Sequence, residues 1–214
     1  MPSRPITLSA AKAEQLMLRD RVIRGNRFPE LRFVAGVDVG FEQHNRAARG
    51  AVAVLRFPSL EPVDSAVARR PVEFPYIPGY LSFREIPVIR KALSKLQQQP
   101  DMLLCDGQGI AHPRRIGIAS HLGVICDLPS IGVAKTRLIG EFEEPGREKG
   151  AWSLLIDRGE TIGAVLRTRT GVKPLFVSIG HRIDLETSIE IVLACCTRYK
   201  LPETTRAAHR LASG

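Results

Sequence analysis

The chain has 214 residues and a mass of 23.6 kDa, with 44% hydrophobic and 25% charged residues. That composition suits one globular domain over residues 1–214 with a sizeable core, and excludes a disordered or fibrous chain. Lysine and arginine number 31 against 22 acids, a net charge of +9, which suits a polyanionic partner such as nucleic acid, although an arginine-favouring proteome would give the same balance.

Apolar spacing predicts a first helix over 7–25, with Ser9 as a cap. Extended runs follow at Phe33–Phe41, Gly50–Phe57 and about Val63–Phe74. Their short connections predict an antiparallel meander. The Pro75–Tyr80 stretch interrupts the pattern, and a helix over 82–97 puts Ile86, Ile89, Leu93 and Leu96 on one face. Met102–Asp106 reads as a short buried strand entering a glycine-rich turn, 114–123 as a short helix and Ser130–Ala134 as another strand. A charged loop over 140–150 leads to strands at 152–156, 161–167 and 174–178, then to helices near 184–198 and 203–212. The expected fold class is α/β: a mixed sheet, antiparallel meander first and parallel strands after, flanked by helices.

Two further properties narrow the setting. No apolar run approaches the ~20 residues of a membrane span, and Met1–Ala10 lacks a signal-peptide core. Cys105, Cys126, Cys195 and Cys196 form no C-x-x-C pair, so free buried thiols in a reducing cytoplasm are expected, not a zinc site or a disulfide framework.

The informative residues are acids in apolar surroundings. Asp38 interrupts Phe33–Gly40, and Asp106 ends Met102–Asp106 just before Gly107-Gln108-Gly109. A buried carboxylate needs a cation or strong donors. A salt bridge for Asp38 and an Asp-Gly turn for Asp106 would also satisfy them. Glu85 stands in Ser82-Phe83-Arg84-Glu85, which fits a capping box for the 82–97 helix with Pro87 in its first turn. The other reading joins Glu85 to the two aspartates as oxygen ligands for a hard divalent cation such as Mg²⁺. A metal so held activates water and stabilises displacement at phosphorus.

Five blocks carry a family resemblance: Phe33–Val39, Phe74–Glu85, Asp106–Pro113, Gly132–Lys135 and Gly180–Asp184. Together they resemble endonuclease V, the deoxyinosine-directed nuclease, over about residues 7–212. The resemblance implies a ribonuclease-H-like fold and metal-dependent hydrolysis of the second phosphodiester bond 3′ to the deaminated base, leaving 5′-phosphate and 3′-hydroxyl. It implies Mg²⁺, with Mn²⁺ also supporting activity, bound by Asp38, Glu85 and Asp106. Lys135 matches the family's active-site lysine, where it would neutralise phosphate or bind the attacking water; otherwise it is a snorkelling strand-end lysine. His209 matches a position near the centre that some relatives fill with Asp, and is otherwise a surface helix histidine.

By the same resemblance Tyr76, between Pro75 and Pro78, is a wedge entering the duplex at the lesion. A tyrosine packed on its own loop is the alternative. Gly79, Leu81, Gly107, Gly109, Ile118 and Leu138 match a pocket for the flipped base. Pro113 would open the 114–123 helix, with His112, Arg114 and Arg115 near phosphate at its N-terminus. The expected partner is deoxyinosine-containing DNA, with inosine-containing RNA as the alternative, and the expected form is a cytoplasmic monomer. Two other classes compete. Gly36–Gly40 also resembles the first phosphate loop of actin-like kinases, and the basic surface would also serve a non-catalytic nucleic-acid-binding module.

Overall fold

A computed structural model describes residues 6–214. Met1–Pro5, half of the segment expected to lack a signal core, lies outside the described residues. The elements in chain order are α1 (Leu8–Arg19), β1 (Phe33–Glu42), β2 (Ala47–Arg56), β3 (Pro62–Pro71), α2 (Leu81–Leu93), β4 (Met102–Cys105), α3 (Ile118–Cys126), β5 (Ser130–Ala134), β6 (Trp152–Asp157), β7 (Glu160–Leu166), β8 (Leu175–His181), α4 (Leu185–Ala194) and α5 (Glu203–Ser213).

All eight strands join one sheet in the order β3-β2-β1-β4-β5-β8-β7-β6. The first three form the expected antiparallel meander, and β4 and β5 run parallel to β1. Beyond β5 the sheet turns antiparallel again, because β8 pairs with β5 and the ribbon β6–β7–β8 extends the far side. The parallel strands are therefore a narrow centre between two antiparallel wings. β4 and β5 are buried throughout, as strands covered on both faces must be. One apolar cluster joins α4 to Val34, Met102, Leu104 and Ile131. Another joins α2 and α3 to Ala35, Val37, Leu103 and Cys105. Alternate residues of each central strand thus feed opposite cores, giving helix layers on both faces.

Four helix expectations are corrected. Thr7, not Ser9, caps α1, its hydroxyl accepting from the Ala10 N–H. The helix stops at Arg19 because the next segment is tied to β8 instead: the Ile23 N–H donates to His181 Nδ1 at 3.2 Å, and Arg182 N–H donates to the Ile23 carbonyl. The helix predicted at 114–123 starts at Ile118. Arg115 takes a left-handed conformation, φ +58°, that ends any helix before it. Pro113 therefore lies in a turn outside α3. Pro87 lies inside α2, past its first turn. Among the described residues no helix is long and apolar enough to cross a membrane.

Candidate active site

The parallel register of β1 and β4 pairs Val37 with Cys105. The next step along both strands sets Asp38 beside Asp106, at the carboxyl edge where open α/β sheets gather their functional groups. β5 is the third parallel strand, and Lys135 follows its last residue, Ala134. Lys135 Nζ lies 2.5 Å from Asp106 Oδ2. His209 Nδ1 lies 2.7 Å from Asp38 Oδ2, and Asp38 Oδ1 accepts from the Val39 N–H at 2.8 Å. The structure thus joins His209 to the acidic centre from 171 residues away.

Close backbone approach makes that junction. Asp38 shares its face of β1 with Gly36 and Gly40, two residues to either side. A β-carbon on Gly36 would collide with the Thr204 carbonyl, and one on Gly40 with the Ala212 carbonyl. The two glycines let the α5 backbone lie directly on the strand, which carries His209 to Asp38. The same contact disposes of the phosphate-loop reading of Gly36–Gly40. These residues are mid-strand, covered by α5, and offer no cradle to a nucleotide.

Glu85 arrives from α2. The capping box does not form: Tyr80 occupies the N-cap without a side-chain bond, and Ser82 instead pairs with His121 Nδ1 at 2.9 Å. Glu85 is left facing the aspartates. Burial first, then the charges of Asp38 and Asp106, pushes its pKa up to about 8. Among the described residues no three His, Cys, Asp or Glu groups are drawn together tightly enough to form a ready metal cage, and each aspartate is turned to its basic partner. Three hard oxygen donors, one of them a buried carboxyl facing the other two, nevertheless suit a divalent cation.

Beside the acids lies a cavity of about 370 Å³, within the range of small-ligand pockets. Asp106 and Lys135 form one side; Gly79, Leu81, Gly107, Ile118 and Leu138 line the rest. Gly109 is the exception among the expected pocket residues. It is absent from the lining and packs against β8, where its N–H donates to Ser178 Oγ at 2.8 Å. Tyr76 stands at the rim, 69% exposed, so it is not packed on its own loop.

His112 is buried and half-buried Arg114 is engaged within the protein, so neither is displayed as a free phosphate ligand. His112 is 4% exposed, and both side chains converge on the Gly79 carbonyl. Arg115 is held by Asp157 and Glu160, each at 2.7 Å. Gln15 also lines the cavity and lies outside every motif block. Gln15 had a signal: Ala11, Gln15 and Leu18 share one helical stripe, so a glutamine occupies a core position. A larger open concavity of about 1230 Å³ runs along β6 and meets this site only at Arg137 and Leu138. It contains none of the three acids.

Such a carboxylate edge on a mixed α/β sheet of ribonuclease-H-like architecture defines a nuclease-type domain. The family profile of endonuclease V matches residues 16–210. An endonuclease V of Rippkaea orientalis is 58% identical over 98% of this chain and 91% of its own length. The crystal structure of endonuclease V from Streptomyces avermitilis is 43% identical and superimposes with a TM-score of 0.94 over 100% of this chain and 94% of its own. A Ciona intestinalis endonuclease V, crystallised with a 23mer DNA containing an inosine followed by a ribo-adenosine, is 31% identical with a TM-score of 0.85 over 97% of each chain. The chain belongs to the endonuclease V family, nucleases that act on phosphodiester bonds.

Proposed function

We propose that this protein hydrolyses the second phosphodiester bond 3′ to a deoxyinosine in DNA, leaving a 5′-phosphate and a 3′-hydroxyl. One observation carries the reading: a single cavity is lined by Asp106 and Lys135 together with Gly79, Gly107 and Tyr76. Chemistry and base selection thus share one opening. The Ciona relative's inosine-containing DNA supports the same substrate class, and an exposed aromatic between two prolines suits entry into a duplex.

Asp38, Glu85 and Asp106 would hold a divalent cation, Mg²⁺ or Mn²⁺. When bound it lowers the pKa of water and offsets charge on the phosphate. Water then attacks phosphorus and loses a proton, the P–O3′ bond breaks, and the 3′ oxygen takes up a proton. Lys135 is placed to neutralise the phosphate beside Asp106. His209, bonded to Asp38 and largely exposed, would pass the proton outward. Gly107 would bring backbone close to the base edge, where hypoxanthine offers a ring N–H and a carbonyl.

The test is strand nicking with Mg²⁺ or Mn²⁺ on a duplex containing one deoxyinosine, beside the single strand and the matched inosine RNA. A nick at the second bond 3′ to the lesion is expected, reduced at least ~100-fold by Asp38→Ala or Asp106→Ala. No nick in inosine DNA, or an undiminished nick from those variants, overturns the reading. Faster cleavage of the RNA transfers it to inosine-directed ribonuclease action.

A further inference from the structure

Gly79 closes the loop that carries Tyr76, and its carbonyl is unusually crowded with donors. Gln15 Nε2 donates to it at 3.0 Å, Arg114 Nη2 at 2.6 Å and His112 Nε2 at 3.1 Å. The histidine is a donor here because its Nδ1 accepts from the Arg114 N–H at 3.2 Å, which leaves the ring proton on Nε2. Among the described residues these are the side-chain hydrogen bonds that reach residues 75–80, and all end on one oxygen.

Gln15 ties the group together. It is 1% exposed, a buried polar residue on the apolar stripe of α1. Its Oε1 accepts from Arg114 Nε at 2.6 Å while its Nε2 donates to Gly79, so both ends of its amide are satisfied. Arg114 also lies 4.3 Å over the Tyr80 ring, bracing the residue after Gly79. Gly79 has φ +80°, and a β-carbon there would meet Arg114 Nη2 at 3.0 Å. The position therefore suits glycine both in backbone conformation and in space.

We propose that Gln15 is a positioning residue: with Arg114 it clamps the Gly79 carbonyl and so holds the Tyr76 loop rigid enough to part a base pair. This inference rests on the proposed inosine-directed function. A clamped loop transmits force to the duplex, and a loose one yields instead. The clamp therefore matters where a base pair must be opened and not where the base is already free.

That difference is the test. Single-turnover nicking of a deoxyinosine duplex is compared with nicking of the same single strand, using the full chain with Mg²⁺. Gln15→Met keeps the length and removes both bonds; Gln15→Glu keeps the acceptor for Arg114 and removes the donor to Gly79. Gln15→Met is expected to slow duplex nicking about tenfold relative to the single strand, and Gln15→Glu by less. Melting temperatures show which variants are folded, and Gln15→Glu carries the comparison if Gln15→Met is not. Equal losses on both substrates, or no loss on either, overturn the clamp and leave the nuclease reading standing. Failure of the wild-type chain to nick inosine DNA overturns both.

Discussion

Glu85 shows how the burial of one carboxyl makes stability depend on pH. In the folded chain it keeps its proton up to about pH 8, whereas the ordinary value is 4.5. Unfolding therefore releases a proton between those values, and stability falls as pH rises across that window. In chelator-treated protein, thermal melts of Glu85→Gln should be flatter between pH 4.5 and 8 than wild type, and higher at the alkaline end. The same variant should lose nicking about 100-fold or more, since an amide is a poor ligand for a hard cation. A Glu85→Gln protein that melts lower at pH 8 would show that burial is not the dominant effect. Lys135 and His209 are the complementary case: each aspartate has one basic partner, and Glu85 has none as close.

At the level of elements, the seat of α5 on β1 is the contact most open to test. Gly40→Ala forces a methyl into the Ala212 carbonyl, backbone that has nowhere to go. A loss of ~2 kcal/mol or more is expected in chemical denaturation, with nicking falling further than stability does because His209 leaves Asp38. Gly25→Ala meets nothing within 4 Å and serves as the control, expected within ~0.5 kcal/mol of wild type. If Gly40→Ala also falls within that range, the glycine is not needed for the approach.

Much of this was legible in the chain. The strands announced themselves because their apolar runs are bounded by glycine and proline, and Asp38 and Asp106 stood out as acids inside such runs. Helix starts were less legible, since local signals lost to tertiary ones. The Ser82–Glu85 spacing spells a capping box, yet His121 from α3 takes the Ser82 hydroxyl. Arg114 and Arg115 read as a basic helix start, yet a left-handed Arg115 and its two acidic partners bend the chain away. The short connection between 152–156 and 161–167 carries an antiparallel signal, but the pairing of β8 with β5 is long-range and leaves no local mark. Gly109 shows the limit of motif transfer: its neighbour Gly107 lines the cavity and it does not.

Over the whole molecule, the excess of 31 basic over 22 acidic residues sets how the protein meets a polyanion and not which base it selects. Binding to an undamaged duplex, followed by fluorescence anisotropy, should weaken linearly with the logarithm of salt, by about 0.9 per phosphate contacted. The ratio of affinity for inosine over undamaged DNA should change little over the same series. A salt-independent affinity would mean that the basic surface does not carry the backbone contact.

The seating of α5 also has a consequence in time. The strand that supplies Asp38 is synthesised well before the helix that supplies its histidine partner. Until Thr204–Ala212 has emerged, β1 has an open face over its two glycines and Asp38 lacks His209. Synthesis order itself thus delays the pairing of these two side chains until α5 has been made.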